Sequence, residues 1–117
     1  MVQTKRVLNK TKNVALAERA EVANTSFQRL KGLLGRQGLE AGQGMIITPC
    51  SSIHTFFMRF AIDAIFLGRD GQVVAMAHSL PPARLFGSPL KGKLVIELPP
   101  GVLKETMTEL NDAISIE

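Results

Sequence analysis

The segment that most constrains the fold is residues 50–71, with the sequence CSSIHTFFMRFAIDAIFLGRDG. Between residues 53 and 67 it has no Gly or Pro and is rich in Ile, Thr and Phe, which favour a pleated, half-buried surface. This pattern predicts two strands bent near Ala61. One amphipathic helix is the alternative, because a single apolar stripe would then contain Ile53, Phe57, Phe60, Ala64 and Leu67.

Two adjacent aromatic residues, Phe56 and Phe57, lie within this segment. Successive side chains of a strand point to opposite faces. We therefore expect at least one of these two rings to anchor the core.

The rest of the chain reads mainly as strand. Strands are predicted at 4–9, 14–22, 44–48, 62–67, 72–78, 94–98 and 113–116, and side-chain alternation supports those at 14–22 and 94–98. Thr25 followed by Gln28 is a capping box that opens a short helix, with Gly32 inside it and Gly35 closing it. A second short helix is expected around residues 103–110. Asp70-Gly71 predicts a β-hairpin, and residues 79–93 predict a long loop that rims or covers a pocket.

Five strings of residues carry a resemblance to a known family. They are RLKGLLGR at 29–36, GMII at 44–47, SIHTFFMRFAIDAIFL at 52–67, DGQVV at 70–74 and IELPPG at 96–101. With these strings the chain resembles the domain-of-unknown-function 192 family of bacterial and archaeal proteins. The resemblance implies a single mainly-β domain, a β-barrel or jelly-roll-like sandwich with one or two short helices. It brings no settled activity.

Length and composition limit the class of protein. A chain of 117 residues is one ordinary domain, here residues 1–117, and its single cysteine excludes an internal disulfide. No apolar run reaches the length of a signal-peptide core or a membrane span. We therefore expect a cytoplasmic protein without a membrane partner.

The net charge of +4 is concentrated in residues 1–36, where eight Lys or Arg residues face only Glu18 and Glu21. Such a bias is compatible with nucleic-acid binding. This part of the chain, however, has one aromatic residue, Phe27, and no helix-turn-helix spacing. A solvated basic face is the better interpretation.

The polar residues of the central segment are the first candidates for a ligand site: His54, Thr55, Arg59 and Asp63. In a regular strand Thr55 and Arg59 share one side, and His54 lies on the other. Arg59 is expected either to pair with Asp63 or to bind an anionic group of a ligand. Three further candidates lie outside the segment. Arg29 and Arg36 would share one face of the helix, and Glu97 would pair with one of them.

Catalysis is an open alternative. His54 could act as a general acid or base, with Asp63 as its orienting carboxylate or as a second carboxyl group. Possible nucleophiles nearby are Cys50, Ser51, Ser52 and Thr55. No nucleophile-elbow pattern is present, and no basic residue adjacent in sequence would activate Cys50.

A metal site is a weaker alternative. Cys50, His54 and Met58 recur every four residues and could offer soft ligands, but no paired metal-binding motif accompanies them. We therefore expect no metal and no cofactor.

The sequence favours a domain that binds a small anionic molecule in a pocket around the SIHTFFMRF segment. The first alternative is a small hydrolase-like or other enzyme that uses His54 and Asp63. The second is a structural or protein-docking module.

Overall fold

The computed structural model describes residues 2–117 as nine strands and two short helices. In chain order these are β1 Thr4–Asn9, β2 Val14–Ala23, α1 Ser26–Lys31, β3 Gln43–Ile47, β4 Ser52–His54, β5 Ile62–Leu67, β6 Val73–Leu80, β7 Leu85–Gly87, β8 Leu94–Leu98, α2 Val102–Glu105 and β9 Ile114–Ile116. The expected mainly-β fold with two short helices is confirmed.

Seven strands form one curled sheet in the order β6-β5-β8-β3-β2-β1-β9. Neighbouring strands are antiparallel except β2 and β3, which run parallel. An isolated bridge between Gln72 and Ala113 brings the two edges of the sheet together at one end. The result is a half-barrel, beside which β4 and β7 form a separate two-stranded ribbon.

The sheet has a hydrophobic cluster on each face. Ile65 and Leu67 of β5 belong to the inner cluster, which the curl encloses together with Leu103 of α2. Ala64 and Phe66 belong to the outer cluster, which includes residues of the β4–β7 ribbon. Because side chains alternate along a strand, β5 is buried on both faces.

The structure corrects the expected path of the central segment. Two strands are present, but the chain leaves β4 at Thr55, and residues 55–61 form an irregular connection rather than a strand bent near Ala61. Phe57 has a positive φ of 67° and is 88% exposed, and Phe56 is 40% exposed. The expectation that one of these rings anchors the core is wrong, because strand alternation does not apply in a turn. Met58 is the apolar side chain that this turn buries.

Helix α1 is also shorter than expected. The capping box of Thr25 and Gln28 is confirmed, with both reciprocal hydrogen bonds present. The helix ends at Lys31, where Gly32 has a φ of 47° and donates its N–H to Gln28. A positive φ cannot continue a right-handed helix, so the closure expected at Gly35 is wrong.

Two further expectations concern residues 68–93. The Asp70-Gly71 hairpin between β5 and β6 is confirmed. The expected loop is not structureless, because β6 extends to Leu80 and β7 pairs with β4. In the part of the chain that the structure describes, no helix is long and apolar enough to cross a membrane.

Candidate ligand-binding site

A cavity of about 330 Å³ lies between α1 and the segment that runs from Pro49 into β4. We call it the Glu97 cavity. Its outer walls include Arg29, Leu30 and Lys31 from the helix side and Cys50 and His54 from the other, and Met58, Ile47 and Glu97 line its deeper part. None of the residues of α1 is buried, so the helix forms a wall of the cavity without packing into the core.

Glu97 is the unusual group in this cavity. Along β8, Ile96 and Leu98 point into the inner cluster, so Val95 and Glu97 face the outer side. Glu97 is only 3% exposed, and it forms no ion pair among residues 2–117. Burial raises the pKa of its carboxyl group to about 7. Near neutral pH this group can therefore either donate or accept a hydrogen bond.

The outer walls of the cavity carry positive charge. Arg29 and Lys31 are exposed and form no ion pair in the described part of the chain. The Nη1 of Arg29 donates to the carbonyl oxygen of Pro49 at 3.3 Å, across the cavity mouth. His54 is exposed on the opposite wall, with its ring centroid 5.6 Å from that of Phe56. The guanidinium of Arg29 retains donors for an anionic group.

Cys50 is held as a thiol. Burial raises the pKa of its thiol, and the negative charge of Glu97 raises it further. The Sγ atom donates to the carbonyl oxygen of Ser52 at 3.1 Å. A thiol with a raised pKa is a poor nucleophile, because the thiolate is the reactive form.

Two of the candidate residues are engaged elsewhere. The hydroxyl of Thr55 donates to the carbonyl oxygen of Pro81 at 2.7 Å and accepts from the N–H of Arg84 at 2.9 Å. The carboxylate of Asp63 accepts from the backbone N–H groups of Ser79, Gly101 and Leu103, at 2.8, 3.1 and 2.9 Å. Thr55 and Asp63 are therefore buried groups that hold loops in place, and neither lines the Glu97 cavity.

The ion pair between Arg59 and Asp63, one of the two alternatives for Arg59, is not formed among residues 2–117. Arg59 is exposed in the connection between β4 and β5 and forms no ion pair within residues 2–117. The backbone donors that surround Asp63 satisfy its carboxylate without a cation. These donors, and not the ring of His54, are the hydrogen-bond partners of Asp63, so it does not orient that ring. Arg59 itself does not line the cavity.

Arg36 and Glu97 are not partners. Arg36 lies beyond the end of α1 and pairs with Glu21 through two bonds of 2.7 and 3.0 Å. This pairing lowers the pKa of Glu21 and raises that of Arg36. The expectations that Arg36 shares a helix face with Arg29 and that Glu97 pairs with an arginine are both wrong. The helix ends at Lys31, five residues before Arg36, so Arg36 is not on a helix face.

Of the seven candidate residues, the structure brings Arg29, His54 and Glu97 together around one cavity. Lys31 was missed, because on a six-residue helix it is indistinguishable in sequence from a solvated lysine. Cys50 and Met58, considered as metal ligands, also line the cavity. Within residues 2–117, however, no three His, Cys, Asp or Glu side chains are grouped as metal ligands.

The half-barrel, the two short helices and the cavity beside α1 place the chain in the class of single mainly-β domains. Residues 7–116 match the family model described as "Uncharacterized ACR", DUF192. The chain belongs to the DUF192 family, which confirms the resemblance seen in its sequence.

Curated relatives agree with this assignment. The chain is 32% identical over 115 residues to a UPF0127 protein of Thermococcus sibiricus, covering 95% of this chain and 74% of the relative. It is also 32% identical to a UPF0127 protein of Pyrococcus abyssi, covering 92% of this chain and 94% of the relative.

Two crystal structures share the fold. A protein of unknown function from Novosphingobium aromaticivorans matches with a TM-score of 0.82 at 22% identity, over 97% of this chain and 84% of that one. A provisionally assigned transcription regulator from Sinorhizobium meliloti matches with a TM-score of 0.86 at 20% identity, over 98% and 95%. At these identities the likeness concerns the fold alone.

Proposed function

We propose that the Glu97 cavity binds a small molecule that carries an acidic group. The observation that supports this most is a carboxyl group buried in the cavity without an ionic partner among residues 2–117, beneath walls that carry Arg29, Lys31 and His54. Buried ionisable groups are normally paired, so an unpaired one that lines a cavity marks a candidate binding site.

The charges of the cavity favour an anion. Arg29 offers a fixed fork of donors that matches a carboxylate or phosphate, and Lys31 adds a second positive charge. A protonated Glu97 can bind the same ligand, because a neutral carboxyl group can donate a hydrogen bond to an anionic oxygen. An ionised Glu97 would instead repel it.

Binding should therefore depend on pH. The pKa of Glu97 is about 7, so the anion should bind more tightly at pH 6 than at pH 8. The other titratable groups that line the cavity are Cys50, Arg29, Lys31 and His54. Histidine side chains in general titrate in the same range. With succinate as the probe, the pH dependence should accordingly survive in His54→Gln and be reduced in Glu97→Gln.

The test is a calorimetric titration with succinate and with inorganic phosphate. Arg29→Ala should weaken the binding of these probes by about tenfold, as expected for the loss of a charge-assisted hydrogen bond. Arg84→Ala is a matched control, because Arg84 is also exposed, donates its Nη1 to a carbonyl oxygen at 3.3 Å and lies outside the cavity. Equal effects of Arg29→Ala and Arg84→Ala on binding would contradict the proposal. So would a pH dependence of binding that is the same in Glu97→Gln as in the parent.

A further inference from the structure

Two further depressions lie next to the Glu97 cavity, one after the other. The first has a volume of about 480 Å³ and shares Arg29, Pro49, Cys50 and Ser52 with the cavity, while Lys93 lines its other end. The second has a volume of about 370 Å³ and shares Lys93 with the first. Their shared lining residues place the three depressions side by side from α1 to the hairpin between β5 and β6, and we call this row of depressions the path.

Backbone hydrogen bonds hold the middle of this path in place. The carbonyl oxygen of Lys93 accepts from the N–H of Cys50 at 2.9 Å, and its N–H donates to the carbonyl oxygen of Leu67 at 2.8 Å. The N–H of Gly92 also donates to Ser88 at 2.7 Å, which closes a turn. Lys93 thus connects the wall of the Glu97 cavity to the start of the hairpin.

The path is lined by five positive side chains, which we call the basic track: Arg29, Lys31, Lys93, Lys91 and Arg69. All five are exposed, and none forms an ion pair among residues 2–117. Two acidic residues accompany them, Asp70 at the far end and the buried Glu97. The track therefore complements an elongated anion better than a compact one.

We infer that the basic track binds an extended acidic peptide segment, one end of which enters the Glu97 cavity. This inference rests on the proposed function of the cavity and specifies its ligand. An extended chain advances about 3.3 Å per residue. The longest dimension of the molecule is 33 Å, so the track can hold at most about ten residues.

A peptide fits the track better than a nucleic acid does. Proteins that hold single-stranded nucleic acids stack bases on aromatic side chains. Among residues 2–117 no Phe lines the three depressions, and the chain contains no Trp or Tyr. A peptide can also present both acidic and apolar side chains to the path. Leu30 and Leu90, both exposed along the path, provide apolar contacts for its side chains.

The experiment measures fluorescence anisotropy of a fluorescein-labelled peptide of about ten alternating Glu and Leu residues, the length that the track can hold. The double substitution Arg69→Glu with Lys91→Glu should weaken peptide binding by about tenfold, an effect that diminishes at high salt. It should leave succinate binding unchanged, because both residues lie outside the Glu97 cavity. Lys10→Glu with Lys104→Glu is the control, since it reverses two exposed charges away from the track and should leave peptide binding unchanged.

The outcomes separate this inference from the proposed function. If the double variant Arg69→Glu with Lys91→Glu binds the peptide as tightly as the parent does, the inference is overturned, even where succinate still binds. Peptide binding with the expected loss, but without succinate binding, supports the track and contradicts a small-molecule site. Tighter binding of a labelled oligothymidylate than of the peptide overturns the inference in favour of a nucleic-acid surface.

Discussion

Asp63 and Glu97 are buried carboxyl groups on neighbouring strands, and their surroundings are opposite. Ala64, the residue after Asp63, pairs with Glu97 across β5 and β8, so alternation sends the two side chains to opposite faces of the sheet. Asp63 is 0% exposed and accepts three backbone N–H groups at the start of α2 and the end of β6. Glu97 faces a cavity and has no ionic partner among residues 2–117.

The difference shows how a buried carboxylate reveals its role. A carboxylate whose lone pairs are filled by backbone donors holds the fold together and has little capacity left for a ligand. A carboxylate that burial leaves unpaired has a raised pKa and a free hydrogen-bonding capacity. Asp63 is of the first kind and Glu97 of the second, although both lie among apolar residues in the sequence.

The largest expected effect on stability is at Asp63, the carboxylate whose hydrogen bonds are all made by backbone donors. Asp63→Ala leaves three backbone donors without their acceptor, and we expect it to lower the free energy of unfolding by about 4 kcal/mol. Asp70→Ala, at an exposed aspartate in the hairpin, should change it by less than about 0.5 kcal/mol. Chemical denaturation measures both. Similar midpoints for the two variants would break the comparison, because Asp63 would then not hold the loops.

Glu97→Gln should instead raise the free energy of unfolding relative to the parent as the pH increases. The folded chain keeps the Glu97 proton up to a pKa of about 7, whereas the unfolded chain releases it near 4.5, so stability present below pH 4.5 is lost as the pH rises to 7. Each pH unit between these two pKa values corresponds to about 1.4 kcal/mol. The parent should lose this stability as the pH rises, and Glu97→Gln should not. The difference in free energy of unfolding between the variant and the parent should therefore shift by about 3 kcal/mol in favour of the variant from pH 4 to pH 8. Parallel pH profiles for the two proteins would contradict an unpaired, buried Glu97.

Substitutions at Met58 and Phe57 test how the turn after β4 packs against the wall of the cavity. Met58 is buried in the outer cluster, and Met58→Ala should lower the free energy of unfolding by about 2 to 3 kcal/mol. Phe57→Ala, next to it, should change stability by less than about 0.5 kcal/mol, because the ring is exposed. The reverse order of the two effects in denaturant melts would show that the turn after β4 packs a ring into the core.

The smallest expected effect concerns the helix that covers the cavity. Thr25→Ala removes the side-chain acceptor of the capping box and should cost about 1 kcal/mol. Because α1 forms a wall of the Glu97 cavity, the same substitution should also weaken succinate binding. Hydrogen exchange of the α1 amides measures the helix directly. Unchanged exchange would mean that the cap does not maintain the wall.

Much of the fold could be predicted from the sequence. The strand alternation around Leu94–Leu98, the capping box at Thr25 and the hairpin signal at Asp70-Gly71 are local patterns, and the structure contains all three. The turn after His54 could not be predicted in this way. Its residues are strand formers by composition. The turn contains Phe57 with a positive φ and begins at Thr55, whose hydroxyl bonds to a loop distant in the chain.

The candidate site was predictable only in part. Arg29, His54 and Glu97 stand out in the sequence, but the partner of each carboxylate depends on contacts between residues far apart in the chain. Asp63 is separated by 38 residues from Gly101, one of its donors. No local pattern distinguishes such a satisfied carboxylate from an unpaired one. The burial of Glu97 follows from the outer cluster, which the residues around β4 complete.

The most direct test of the binding site is the pKa of Glu97, measured by following its side-chain carboxyl carbon in a ¹³C NMR titration. We expect a midpoint of about 7 in the free protein and a higher midpoint with saturating succinate, because a bound anion favours the neutral carboxyl group. A midpoint near the ordinary value of 4.5, unchanged by succinate, would contradict this expectation: Glu97 would then be a solvated carboxylate, and the cavity would not be the binding site.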